Sequence, residues 1–186
     1  MRRLAKVMLI MAIITMTTTV PCFCYDNKTG ALDSEDMLLL TNQMVWMNMS
    51  AEEQFKYIIQ YTPRINCLLS VPIDTFPAES IHMMPENDPA YGKACAYTDY
   101  GTGQIYMDMN TIAKTGSGGW AALYTLAHET RHLYQEKYQT IPLNPQSTIY
   151  NQEVYQSDPR EIDANNFADV VSKFITSGKT HITVEE

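Results

Sequence analysis

Two histidines four residues apart, His128 and His132, enclose Glu129, Thr130 and Arg131. On a helix, residues i and i+4 share a face, so both imidazoles can reach one metal ion. Zinc accepts such nitrogens at about 2.0–2.1 Å, and a zinc site that does chemistry keeps one position open. Glu129 projects beside that position. A carboxylate there can take a proton from an attacking water and pass it to a leaving amine. The pattern is short, and its plain alternative is an amphipathic helix bearing two surface histidines. The context favours the metal. Leu123, Leu126, Ala127, Leu133 and Tyr134 supply apolar surface to bury the helix, and the turn Thr115-Gly116-Ser117-Gly118-Gly119 lets it begin abruptly.

A zinc site needs a third protein ligand. The other histidines are His82 and His181, and the acidic segment Glu161-Ile162-Asp163-Ala164-Asn165 is the better source. Glu161 could give a carboxylate to the metal or close a capping box with Asp158. Asp163 is its rival, because the two acids lie on opposite margins of the buried stripe formed by Ala164, Phe167, Ala168, Val171 and Phe174. Asn165, one turn after Glu161, could orient a liganding imidazole. Tyr150 and Tyr155, between the two ligand-bearing segments, are candidates to stabilise an oxyanion. Arg131 points elsewhere on its helix, toward a salt bridge with the Glu161–Asp163 region or a surface acid.

The pairing of His128-Glu129-Thr130-Arg131-His132 with Glu161-Ile162-Asp163-Ala164-Asn165 resembles the gluzincin metallopeptidases. The later helix is similar to that of small gluzincins of the IrrE/ImmA-like group. The resemblance covers roughly residues 100–176. It implies a zincin-like domain with His128, His132 and Glu161 as zinc ligands, Glu129 as general base and Asn165 supporting a ligand. Larger gluzincins often carry Asp where this chain has Asn165. The resemblance also implies that Gln104–Met109 lines the cleft and pairs through its edge with an extended peptide; an internal strand is the alternative.

The elements that must position these residues read as α+β, with helices before and after a small, mainly antiparallel sheet. Residues 33–48 carry apolar side chains at helical spacing. Ser50-Ala51-Glu52-Glu53 is a capping box opening a helix to about Tyr61, which Pro63 should stop. Ile65–Val71 reads as a short strand, and the proline-broken Pro72–Pro89 as irregular. Residues 94–97 and 104–109 flank Thr98-Asp99-Tyr100-Gly101-Thr102-Gly103 as a hairpin. A helix should span Trp120 to about Tyr138, and a long loop residues 141–158. Asp158-Pro159 then starts a helix ending near Gly178.

Residues 1–24 combine a basic start, an apolar run and a small-residue stretch, the order of a secretory signal peptide. The run is shorter than the roughly 20 residues of a membrane span. The expected product is one domain over 25–186, extracellular or periplasmic, with no stable membrane association after cleavage. Losing Arg2, Arg3 and Lys6 takes the formal net charge from −8 to −11. So acidic a surface disfavours nucleic acid. Export favours a Cys67–Cys95 disulfide, closing a loop of about 30 residues and contributing about 3 kcal/mol. The sequence leaves four functional readings: hydrolysis of protein peptide bonds, hydrolysis of cell-wall amides, a binding or inhibitor module with a structural or vestigial metal site, and an interaction protein without metal in which the His-Glu-x-x-His pattern is accidental.

Overall fold

Local hydrogen bonds open the chain's helices where the sequence signals them. The structure, a computed structural model, describes residues 40–138, 140–142, 144 and 152–176. The expected leader, Tyr150 and the tail beyond 176 lie outside them. Asn42 caps α1 (Gln43–Met47) by accepting from the Met44 and Val45 amides at 3.0 and 3.3 Å, which starts a new helix inside the expected 33–48 segment. Ser50 caps α2 (Ala51–Ile58), with both halves of the capping box present at 2.7 and 3.2 Å.

Pro63 does not stop the chain's helical course. A 3-10 turn at Ile59–Tyr61 leads into α3 (Thr62–Leu68), with Pro63 in its first turn, where the missing amide costs no helical bond. The strand expected at Ile65–Val71 is therefore mostly helix. A short apolar run does not distinguish a strand from a buried helix by period alone. Asn66, fully buried, donates to the carbonyls of Ile73 and Phe76 at 2.8 and 3.0 Å and pins the loop after α3.

Three strands form a mixed sheet of order β1-β3-β2: β1 (Ile81–Met83), β2 (Ala96–Asp99) and β3 (Gln104–Met107). The β2–β3 hairpin matches the expectation and is antiparallel, with Thr98 opposite Ile105. β1 lies within the segment expected to be irregular and pairs parallel to β3, so the sheet is mixed rather than mainly antiparallel. β3 is consequently the central strand. Both its edges are used, and it has no free edge for a peptide along Gln104–Met109. Ile105 and Met107 face the core, and the strand ends where Asp108 caps α4 (Met109–Lys114) by accepting from the Thr111 amide at 3.0 Å.

The central element is α5 (Gly118–Tyr138), which contacts β2, β3, α1, α2 and α4. Its last partner, α7 (Pro159–Thr176), packs along it; α6 (Gln152–Ser157) lies in the expected long loop and packs on α7. The domain is thus mixed α+β and helix-rich. No helix among the described residues is long and apolar enough to cross a membrane. The Cys67–Cys95 bridge is not formed. Cys67 is disulfide-bonded, but Cys95 keeps a free thiol just before β2, where burial and then the carboxylates of Asp108 and Glu129 raise its pKa.

The glycine turn before α5 has a packing role as well as a conformational one. Gly118 has φ +61°, and a Cβ on Gly119 would come within 2.8 and 2.9 Å of the Trp46 ring and 3.1 Å of the Leu40 Cα. Trp46 is fully buried and has nowhere to retreat. Alanine would gain up to about 1 kcal/mol of helix propensity, against about 1–3 kcal/mol for overpacking. Gly119→Ala is expected to lower stability by about 1–2 kcal/mol. A denaturant midpoint unchanged or higher in the variant would contradict this close approach.

Candidate metal centre

Helix α5 buries the motif that its sequence carries. His128, Glu129 and His132 are 8, 7 and 3 % exposed, and the two Nε2 atoms approach to 3.0 Å. The third group comes from α7. Asp158 caps that helix, accepting from the Arg160 amide at 2.8 Å, and Pro159 takes the first helical position. Glu161 sits in the first turn, and its carboxylate turns toward α5 rather than back onto its own cap. One oxygen lies 3.2 Å from His128 Nε2 and the other 3.3 Å from His132 Nε2. One ligand atom from each of His128, His132 and Glu161 lies within 4.8 Å of the others, so this buried group can hold a metal ion.

The electrostatics couple the Glu161 carboxylate to both imidazoles. Burial alone would raise the pKa of Glu161. Hydrogen bonds from His128, His132 and the Tyr155 hydroxyl outweigh it and hold the carboxyl well below the usual carboxylate range. Burial likewise depresses His132, but Glu161, Glu129 and Gln135 together raise it above the ordinary imidazole value. Burial and the Glu161 carboxylate push the Tyr155 phenol up, so it stays protonated as a donor. The phenol of Tyr100, turned edge-on to His132 at 6.4 Å between centroids, is pushed up to about 12, mainly by burial.

Asp163, the rival ligand, is occupied elsewhere. Arg131 reaches its two oxygens at 2.7 and 3.0 Å, and the Gln135 amide donates to it at 2.7 Å. Arg131 thus forms the expected salt bridge to this region, with its guanidinium also over the Tyr134 ring at 4.7 Å. Asn165 does not hold an imidazole. It is exposed and accepts from the Tyr124 hydroxyl at 2.9 Å, while the Tyr124 ring lies along His128 at 6.5 Å. His128 Nδ1 is buried without a hydrogen-bond partner among the described residues.

The group that orients an imidazole is Gln135, which sequence reading passed over. It is fully buried and donates from Nε2 to the Arg160 carbonyl at 2.9 Å as well as to Asp163. With its nitrogen committed to two acceptors, its oxygen must face His132 Nδ1 at 2.9 Å and Arg160 Nε at 3.2 Å, both donors. His132 therefore carries a hydrogen on Nδ1 toward Gln135, which leaves Nε2 as the ring nitrogen that can give a lone pair to a metal. Its place three residues after His132, on the same helix face, was the available signal. Gln135→Met is expected to weaken metal binding about 10- to 100-fold. A chelator competition in which the variant matches the wild type would remove Gln135 from this role.

Two further neighbours had no sequence signal. The Thr98 hydroxyl on β2 donates to Glu129 Oε2 at 2.7 Å, with the Glu129 carbonyl at 3.1 Å. Arg160, 2 % exposed, sits over the Tyr100 ring at 4.9 Å and reaches Glu136 at 3.3 Å. No family model, curated protein or solved structure matches the chain.

Proposed function

We propose that the protein is a secreted, zinc-dependent peptidase with a zincin-like domain of gluzincin type. The observation that carries this reading is the mutual spacing of the two imidazoles and the carboxylate. Vertices of a tetrahedron with bonds of about 2.0–2.1 Å stand about 3.3 Å apart. Here the two imidazole Nε2 atoms are 3.0 Å apart, one Glu161 oxygen is 3.2 Å from His128 Nε2 and the other is 3.3 Å from His132 Nε2, so each imidazole has a carboxylate oxygen at that spacing. Two imidazoles and one carboxylate also suit zinc, and three protein donors leave a position for water or substrate.

Bound zinc would supply Lewis acidity, polarising the peptide carbonyl and acidifying water. The chain's own residues would do the rest. Glu129 takes a proton from the attacking water and delivers it to the departing amine. Gln135 keeps His132 in the liganding tautomer. The Tyr155 hydroxyl, which gives its hydrogen to the Glu161 carboxylate, would turn that hydrogen to a developing oxyanion once the carboxylate is committed to the metal. An extended substrate would pair along β2, whose outer edge no other strand among the described residues occupies. β2 packs on α5 and its Thr98 touches Glu129, which supports this edge as the one nearest the chemistry.

The test is a search for new amino termini by mass spectrometry after incubating the zinc-loaded protein with unfolded proteins. Cleavage should stop on chelation and return with zinc. A protein that binds one zinc yet generates no new termini would instead be a binding module with a structural metal, or an amidase of cell-wall bonds; peptidoglycan fragments offered in parallel separate those two.

A further inference from the structure

We infer that Thr98 is the positioning residue for Glu129: its hydroxyl pins one carboxylate oxygen and leaves the other to accept the proton of the attacking water. The inference rests on the peptidase reading above and adds to it a residue from the sheet, 31 positions away in sequence.

The sheet register directs this contact. Thr98 stands opposite Ile105, a core-facing residue, so its side chain lies on the face of β2 turned toward α5. There the hydroxyl lies 2.7 Å from Glu129 Oε2 and 3.1 Å from the Glu129 carbonyl. A hydroxyl has one hydrogen to give, and the shorter, charge-assisted bond goes to the carboxylate. A glutamate has three rotatable bonds, and a misplacement of about 1 Å at a reacting group can cost about 100-fold in rate. The Thr98 bond removes that freedom. It also ties the base to the strand whose free edge is the proposed substrate edge, so β2 would set both the peptide and the carboxylate.

Thr98→Val keeps the shape and the β-branched fit of the strand and removes only the donor; Thr98→Ser restores the donor. With zinc loaded, Thr98→Val is expected to lower kcat about 10- to 100-fold with KM within about 2-fold, and Thr98→Ser to recover most of kcat. Zinc content and affinity should equal the wild type in both. A Thr98→Val protein with unchanged kcat, or one whose KM rises at constant kcat, overturns the assignment. A double-mutant cycle in the metal-free protein needs no activity. The Tm shifts of Thr98→Val and Glu129→Ala should be non-additive, because the two residues share one bond. If the wild type cleaves nothing, the peptidase reading fails and the cycle decides the contact by itself: non-additive shifts uphold the pin, and additive shifts overturn it.

Discussion

Glu161→Ala and His132→Ala are each expected to take bound metal from about one ion per chain to none, while Asp163→Asn keeps it. The contrast arises from what each carboxylate touches. Glu161 faces both imidazoles at 3.2 and 3.3 Å, whereas Asp163 is held by the Arg131 guanidinium and the Gln135 amide. Two measurements check this. Elemental analysis after dialysis gives stoichiometry. Thermal unfolding gives linkage: at zinc 100-fold above its Kd the wild type gains about 2.7 kcal/mol, roughly 5–10 °C for a chain of this size. Glu161→Ala and His132→Ala should show neither bound metal nor a zinc-dependent Tm. Metal lost in Asp163→Asn but kept in Glu161→Ala would move the third ligand to Asp163.

Glu129→Gln is expected to retain one zinc and the fold but to lose about 10²- to 10⁴-fold in kcat, the usual contribution of a positioned general base. Glutamine is nearly isosteric, and its carbonyl can still accept the Thr98 hydroxyl that now lies 2.7 Å from Oε2. What it cannot do is take and return a proton. The variant therefore separates proton transfer from metal binding and from substrate positioning. Peptide cleavage by Glu129→Gln at the wild-type rate would show that another group carries the proton, and Glu129 would then be a packing residue of α5.

The residues of the metal centre differ from the surrounding scaffold in how far their roles could be read along the chain. The capping box at Ser50, the Asp158-Pro159 start of α7 and the β2–β3 hairpin were all legible, because each is written within twelve consecutive residues or fewer. Pro63 misled, since a proline that ends one helix can equally occupy the first turn of the next. Ile65–Val71 misled for the reason that a short apolar run suits either period. β1 had no local signal: its pairing with β3 joins Ile81 to Ile105 across the segment that carries β2. Cysteine count and export context suggested Cys67–Cys95, yet a disulfide also needs two Cβ atoms about 3.5–4.5 Å apart, which no spacing rule supplies.

At the centre itself, the sequence by itself determined the pair His128 and His132, the neighbouring Glu129, and an acidic helix start behind Asp158. Helical period alone places the first three on one stretch of α5, and a cap alone places Glu161 in the first turn of α7. The tertiary structure decided the rest. The packing of α7 along α5 put Glu161 against both imidazoles and handed Asp163 to Arg131. It made Gln135 rather than Asn165 the partner of an imidazole, and it brought Thr98 onto Glu129. The physical reason is range. Bonds within a helical turn are set by residue order, whereas bonds between residues 25 to 41 positions apart exist only once the elements carrying them have packed.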